Sequence, residues 1–169
     1  MERINKILHN KEFLEYLRQN NLAEENRIFC HHNIEHFLSV ARIAQLRNLQ
    51  ENLQLDAEII YSVALLHDIG RFLEAKNGTP HEVASAELAK NILFSCDFME
   101  NEVEIILQVI LQHRGSKTET TTRNCDGTKV QKLSNLMYEA DKMSRNCFCC
   151  DAYYECNWTE ERKNAPIVW

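Results

Sequence analysis

The chain has 169 residues, enough for one domain with a substantial hydrophobic core. Hydrophobic residues make up 44% and charged residues 26%, which is the composition of an ordinary soluble globular protein. The formal net charge is −6 and no basic block stands out, which argues against a nucleic-acid backbone as the main partner.

The N-terminal segment matches neither a secretory signal nor a transmembrane span, because charged residues recur among its apolar ones. Seven cysteines without such a signal favour reduced thiols over a disulfide framework. We therefore expect a cytoplasmic protein that makes no membrane contact. With only 2 Pro and 4 Gly, the chain has few turn-forming residues to connect the strands of a sheet, so the predicted fold class is all-α.

Hydrophobic periodicity predicts a single-domain bundle of about six or more helices. The predicted helices, in chain order, are residues 4–21 as one helix or a broken pair, 33–50, 56–69, 80–92, 100–113 and 131–146. A short loop is expected at 74–80. The polar segment 114–132 is predicted as a long loop that lines the mouth of a functional site.

The third helix ends on the run LLHDIGR at 65–71. His67 shares a helical face with Ile60 and Val63, so its imidazole is predicted to face inward. Asp68 would point about 100° away around the helix. We expect Gly70 to let the backbone leave the helix, so that the carboxylate turns toward the same place. Two adjacent metal-type ligands after a buried helix indicate a site more strongly than either residue alone.

Further polar side chains lie at or near apolar helix faces or helix ends: His36, His81, His113 and Asp141. Each of them alone is more often structural. Burying the whole set without a common partner would be costly, and a metal centre is the economical explanation. Imidazole and carboxylate donors suit Fe, Mn, Co or Zn better than Mg²⁺ or Ca²⁺.

The order of these residues resembles the HD superfamily of metal-dependent phosphohydrolases. His36 precedes Val40 by four residues, the pair His67-Asp68 follows a buried helix, and Asp141 comes last. The likeness covers about residues 30–146. The extra histidines resemble the subset with two-metal centres, which includes HD-GYP proteins and a bacterial family that cleaves diadenosine tetraphosphate. No GYP-like sequence follows the HD pair, which argues against a cyclic-di-GMP phosphodiesterase.

The resemblance implies one or two divalent transition-metal ions per chain. The first would be held by His36, His67, Asp68 and Asp141, and the second by His81 and His113, with Asp68 bridging. It also implies that a metal-activated hydroxide cleaves a phosphoester or phosphoanhydride bond of a nucleotide or small phosphorylated metabolite. Asp68, Lys142 and Arg71 are the predicted catalytic residues. The two cations, with Arg114 and Arg145 behind them, are candidates for binding the substrate phosphates, although solvated helix-end cations are an equally good interpretation.

Two alternatives stay open, a nucleotide-binding regulatory HD module without turnover and a di-iron HD-type oxygenase. Substrate identity and oligomeric state are also open. His31 and His32 precede the second helix, and His32 is either a ligand or a supporting residue, although the register favours His36 as the ligand. His9 is predicted to lie at the surface.

The tail, residues 147–169, is rich in cysteine: Cys147, Cys149, Cys150 and Cys156. The spacing C-x-C-C-x₅-C is not a standard zinc knuckle, so free thiols packed under Trp158 are favoured over a thiolate metal or redox site. Trp169 is expected to be a second anchor. The remaining cysteines are predicted as isolated small apolar fillers: Cys30, Cys96 and Cys125.

Overall fold

The computed structural model describes residues 1–114 and 127–166. These ranges contain eight α-helices and two short 3₁₀ turns. The helices are α1 (Glu2–Leu8), α2 (Lys11–Ala23), α3 (Ile34–Gln50), α4 (Ala57–Leu66), α5 (Arg71–Asn77), α6 (His81–Ser95), α7 (Glu100–Gln112) and α8 (Gly127–Met143). The 3₁₀ turns, Cys147–Cys149 and Glu160–Arg162, follow α8. These ranges contain no β-strand, which confirms the predicted all-α class.

Helix α4 lies at the centre of the bundle, where it packs against α1, α3, α6, α7 and α8. Seven of its ten residues are buried, because the sequence AEIIYSVALL is apolar on nearly all sides. Asp56 caps its N-terminus by accepting hydrogen bonds from the backbone amides of Glu58 and Ile59, at 2.8 and 3.1 Å. Packing on all sides fixes the direction of α4, and its C-terminal end delivers His67.

The buried side chains of α1 to α4 and of α6 to α8 form one continuous hydrophobic core. No helix within the described ranges is both long and apolar enough to cross a membrane.

The predicted helices are present, with some of their ends shifted. The N-terminal segment is a broken pair, because the Asn10 side chain caps α2 at the backbone amides of Glu12 and Phe13. The third helix ends at Leu66, three residues before its predicted end. The last helix begins four residues before its predicted start at residue 131.

The loop predicted at 74–80 is wrong for its first four residues. Helix α5 continues to Asn77 and stops at Gly78, whose left-handed φ of 79° suits glycine. Much of the second predicted loop, residues 115–126, lies outside the described residues, as do Cys125 and Trp169.

The turn between α4 and α5, residues 67–70, is held by two neighbouring helices. Asn20 of α2 is fully buried, and its Nδ2 donates a hydrogen bond to the carbonyl oxygen of Asp68 at 2.9 Å. Its Oδ1 accepts from the backbone amide of Phe72, also at 2.9 Å. On the other side, the backbone amide of Gly70 donates to Oγ of Ser85 on α6 at 2.9 Å. These contacts set the direction in which the Asp68 side chain leaves the turn.

Gly70 serves this turn in a way the sequence did not predict. Its φ of −96° is open to any residue, so leaving the helix does not itself require glycine. A Cβ at this position would instead lie 2.5 Å from the backbone nitrogen of Ser85 and 2.7 Å from the carbonyl carbon of Ala84. Glycine is needed because α6 approaches the turn backbone to backbone.

We expect Gly70→Ala to lower the free energy of unfolding by about 2–3 kcal/mol, because the added Cβ forces α6 away from the turn. Urea unfolding followed by circular dichroism measures this. Gly78→Ala is the matched control, since its Cβ would have no neighbour within 4 Å and only the left-handed backbone would cost about 1 kcal/mol. A Gly70→Ala protein as stable as Gly78→Ala would contradict the close approach.

Candidate metal centre

Seven polar side chains converge beyond the C-terminal end of α4: His32, His36, His67, Asp68, His81, His113 and Asp141. The structure thus brings together all six side chains predicted as metal ligands and adds His32. Four of the seven, His67, Asp68, His81 and His113, are at most 8% exposed.

Local structure places the histidines at helix ends. The Asn33 side chain caps α3 by accepting from the backbone amide of His36 at 3.0 Å, which puts His36 in the first turn. Pro80 precedes α6, so that His81 is the first helical residue. His113 directly follows α7. Because these helices pack around α4, their ends meet the turn that follows it.

Two imidazoles are oriented by backbone carbonyl groups. Nδ1 of His67 lies 2.8 Å from the carbonyl oxygen of Ala64, and Nδ1 of His113 lies 2.6 Å from that of Ile110. A carbonyl oxygen can only accept, so in both rings Nδ1 carries the proton. In the neutral ring Nε2 then presents a lone pair to the centre of the cluster.

Two more imidazoles are oriented by carboxylates. Glu24 accepts a hydrogen bond from Nδ1 of His32 at 2.7 Å, and Glu74 accepts one from Nδ1 of His81 at 2.8 Å. This arrangement of carboxylate, imidazole and open Nε2 is common behind protein metal ions, where it fixes the ring and raises its basicity. Neither glutamate was predicted from the sequence, because no local pattern marks Glu24 or Glu74 as the partner of a histidine.

His36 completes the set. Its Nδ1 lies 3.3 Å from Oγ of Ser144, a hydroxyl that itself donates to the carbonyl oxygen of Asp141. Three buried atoms of the cluster have no hydrogen-bond partner: Nε2 of His36, Nε2 of His67 and Oδ1 of Asp68. Unpaired buried polar atoms are costly, and a shared cation would satisfy all three.

Asp68 is the hub on which the open nitrogens converge. Three Nε2 atoms lie 3.3–3.4 Å from its carboxylate oxygens, those of His67, His81 and His113. Nε2 of His32 is 3.7 Å away. The Nε2 atoms of His81 and His113 are only 3.2 Å apart, a distance at which two lone pairs need a proton or a cation between them.

Three groups of donor atoms lie within 4.8 Å of one another. They are Asp68 with His81 and His113, His36 with His67 and Asp141, and His32 with His36 and Asp68. Asp68 and His36 each belong to two of these groups, whereas the group of His36, His67 and Asp141 does not include Asp68.

Electrostatics keep four of the donors, His36, His67, His81 and Asp68, in forms that bind cations. Burial lowers the pKa of His36 to about 3, and it also lowers the pKa values of His67 and His81, so these rings are neutral. Burial opposes ionisation of Asp68, but the surrounding imidazoles outweigh it and hold its pKa well below the usual value. His113 is different, because the nearby Asp68 carboxylate outweighs burial and raises the pKa of this ring, so a cation would have to displace its extra proton.

The predicted cations lie beside the cluster. Nζ of Lys142 is 2.5 Å from Oδ2 of Asp141. Arg71 lies 3.6 Å from a carboxylate oxygen of Asp68 and 3.5 Å from Glu24. Arg114 is exposed and pairs loosely with Glu74 at 3.3 Å.

A cavity of about 630 Å³ opens onto the cluster. Its lining includes seven cationic side chains, Arg27, Arg71, Arg114, Lys142, Arg145, Arg162 and Lys163. The carboxylates among its lining residues are Asp68 and Asp141. The cavity is therefore basic in a chain whose net charge is −6.

The helix ends of this all-helical bundle present a histidine, a His-Asp pair, two further histidines and an aspartate. This arrangement defines a class of metal-binding helical domains. The sequence profile of the HD domain family matches residues 33–146, more than half of the chain. The chain therefore belongs to the HD domain family, which confirms the resemblance to the HD superfamily.

One relative is a protein of Clostridium beijerinckii (strain ATCC 51743 / NCIMB 8052), described as an uncharacterized protein. It is 48% identical to this chain over 169 residues, and the match covers the whole of both chains. No solved structure matches the chain significantly.

Proposed function

We propose that the chain is a metal-dependent phosphohydrolase that cleaves a phosphoester or phosphoanhydride bond of a nucleotide or a similar small phosphorylated metabolite. The observation that carries the proposal is the shared orientation of five imidazoles. Each has Nδ1 against an oxygen atom and Nε2 turned toward Asp68 or Asp141. Core histidines with only a structural role have no reason to leave the same ring nitrogen open toward one point.

The cluster fits a pair of divalent transition-metal ions. His36, His67, Asp68 and Asp141 would hold one ion, and His81 and His113 would hold the other with Asp68 between them. His32 is a further donor beside His36. Fe, Mn, Co and Zn suit these ligands. Such ions lower the pKa of a bound water and stabilise negative charge on phosphate oxygens.

The chain's own residues supply binding and orientation. Lys142 and Arg71 lie within 4 Å of the two aspartates, close enough to bind phosphate oxygens of a substrate at the cluster. Glu24 and Glu74 keep the rings of His32 and His81 from turning.

The cavity favours a nucleotide over a smaller phosphorylated compound. Its volume is in the range typical of small-molecule sites. Several aromatic rings also line it, namely Phe29, Tyr138, Tyr153 and Trp158. The guanidinium of Arg145 lies 3.8 Å from the centre of the Trp158 ring, and such a flat cationic and aromatic surface suits a nucleobase.

Elemental analysis of the purified protein, combined with phosphate-release assays on nucleotides, tests the proposal. We expect about two equivalents of Fe, Mn, Co or Zn that are not accompanied by acid-labile sulfide, and turnover that a chelator abolishes and added metal restores. The panel contains nucleoside mono-, di- and triphosphates and dinucleoside polyphosphates. Metal-loaded protein that binds nucleotides without hydrolysing any would instead support a regulatory module. A mixed-valent iron centre without phosphatase activity would support an oxygenase.

Glu74→Ala should weaken metal binding by about 10–100-fold, because the ring of His81 loses the acceptor that orients it. Competition with a chromogenic chelator measures the affinity. Glu82→Ala is the matched control, since its carboxylate is 3.6 Å from the same Nδ1, beyond hydrogen-bond distance. Equal metal affinity in the two variants would show that Glu74 does not orient the ring.

Lys142→Met should lower kcat/KM by about 10–100-fold, because one charge-assisted contact to phosphate is lost. Steady-state phosphate release measures this, and the metal content should stay near that of the unaltered chain. Lys90→Met, at an exposed position on α6, serves as the control. If kcat/KM were unchanged in Lys142→Met, Lys142 would be a solvated cation with no part in binding substrate.

A further inference from the structure

Four cysteine side chains line the cavity that opens onto the metal centre: Cys30, Cys147, Cys150 and Cys156. They come from two irregular segments, the loop before α3 and the tail after α8. All four are free thiols. The prediction that Cys30 is an isolated filler is therefore wrong, because the fold carries it to the same cavity as three cysteines more than a hundred residues later. Cys96, in contrast, is buried in the core as predicted.

The structure separates the tail cysteines into two kinds. Cys149 is exposed and is not part of the cavity lining, and its Sγ lies 3.5 Å from the carbonyl oxygen of Asn146. The remaining three form the spacing C-x₂-C-x₅-C, and Cys30 supplies a fourth thiol from a distant part of the sequence. Four thiolates are the usual complement of both structural zinc sites and iron–sulfur clusters.

The spacing of the sulfur atoms distinguishes these two possibilities. Two thiolates bound to one zinc ion lie at most about 4.6 Å apart, since each Zn–S bond is about 2.3 Å long. No three cysteine sulfur atoms of the described residues lie within 4.8 Å of one another. Burial raises the pKa of Cys30, and nearby Cys147 and Cys150 raise it further, so these three thiols are neighbours, while Cys156 lines the same cavity. A cluster that offers several iron atoms fits this wider arrangement.

The charges on the cavity wall suit an anionic group. Arg27, Arg145, Arg162 and Lys163 line the cavity together with the thiols. Cations near a cysteine favour the thiolate, which is the form that binds metal. Arg145 acts in this sense on Cys30, where its charge opposes the rise in pKa.

The tail has little hydrophobic core of its own. Among residues 144–166, Ala152 is the one that is buried, and the regular structure consists of two 3₁₀ turns. Hydrogen bonds attach the tail to the C-terminal end of α8, where Nδ2 of Asn164 donates to the carbonyl oxygens of Lys142 and Arg145 at 2.8 and 2.9 Å. A group bound to both segments would fasten the tail to the loop that carries His32.

We propose that Cys30, Cys147, Cys150 and Cys156 bind an iron–sulfur cluster beside the HD centre. Its role is to join the tail to the loop before α3 over the cavity. Assembly requires inorganic sulfide and both ferric and ferrous iron, so that no further oxidant is needed, and each thiol gives its proton to solvent as its sulfur binds iron. The proposal does not depend on the hydrolytic activity proposed above.

Acid-labile sulfide in the full chain, purified without oxygen, tests the proposal. Iron bound by histidine and aspartate releases no sulfide in acid, so this measurement separates the cluster from the HD centre. We expect iron and sulfide in about equal amounts and a broad visible absorption that dithionite bleaches. His67→Ala should keep the sulfide.

Matched serine variants locate the cluster. Cys147→Ser and Cys150→Ser should lose the sulfide and the absorption, whereas Cys149→Ser, between them, should keep both. The cluster would be overturned by absence of sulfide after anaerobic reconstitution, by its retention in the first two variants, by stoichiometric zinc on these thiols, or by a disulfide among the four in fresh protein. The measurement on the unaltered chain decides the question even where a variant fails to fold.

Discussion

Asp68→Ala should lower phosphate release by at least about a thousandfold, equivalent to about 4 kcal/mol of transition-state stabilisation. The variant should also purify with almost no metal at the HD centre, that is, almost none beyond the iron that accompanies acid-labile sulfide. The reason is geometric, since Asp68 belongs to two of the three donor groups and its two oxygens face different histidines. No other carboxylate of the cluster is shared in this way.

A general loss of stability could imitate this result, so the variant needs a control on the same helix. Asp56→Ala removes the N-cap of α4, which should cost about 1 kcal/mol of stability while leaving metal content and turnover intact. Asp68→Asn keeps the shape of the side chain and removes its charge, and it should also lose metal. An Asp68→Ala protein with full metal content and turnover would disprove the site assignment.

The parts of the site that could be predicted from sequence are those where one helix carries the whole signal. His67 continues the apolar face of α4, and Asp141 lies on the apolar face of α8. Helical periodicity alone therefore predicts that both side chains point inward. The pairing of His67 with Asp68 then marks the centre of the cluster. These inferences need no knowledge of how the helices pack.

The residues that escaped prediction act across the packed bundle. Asn20, on helix α2, holds the turn that follows α4. Glu74, in a segment that was predicted as a loop, orients the imidazole of His81 seven residues later. Cys30 meets the tail cysteines only because α3 and α8 pack together. Sequence patterns report local burial, whereas these contacts depend on which surfaces meet.

His81→Ala and His113→Ala should each remove one of the two metal equivalents of the HD centre and lower turnover by at least about a hundredfold, equivalent to about 2.7 kcal/mol. Their Nε2 atoms are 3.2 Å apart and face the same oxygen of Asp68, so neither is replaced when the other is lost. The first ion should remain, because His36, His67 and Asp141 form a separate donor group.

Elemental analysis of both variants, next to His9→Ala, measures this difference. His9 is an exposed imidazole far from the cluster in sequence, and its removal should leave two equivalents and full turnover. His32→Ala belongs in the same series, because its Nε2 is 3.7 Å from Asp68 and its ring is held by Glu24 in the manner of a ligand. If His81→Ala retained both equivalents, the two-metal assignment would be wrong while a single ion at His36, His67, Asp68 and Asp141 remained tenable. The stoichiometry thus separates a mononuclear from a binuclear metal centre, and this measurement needs no substrate.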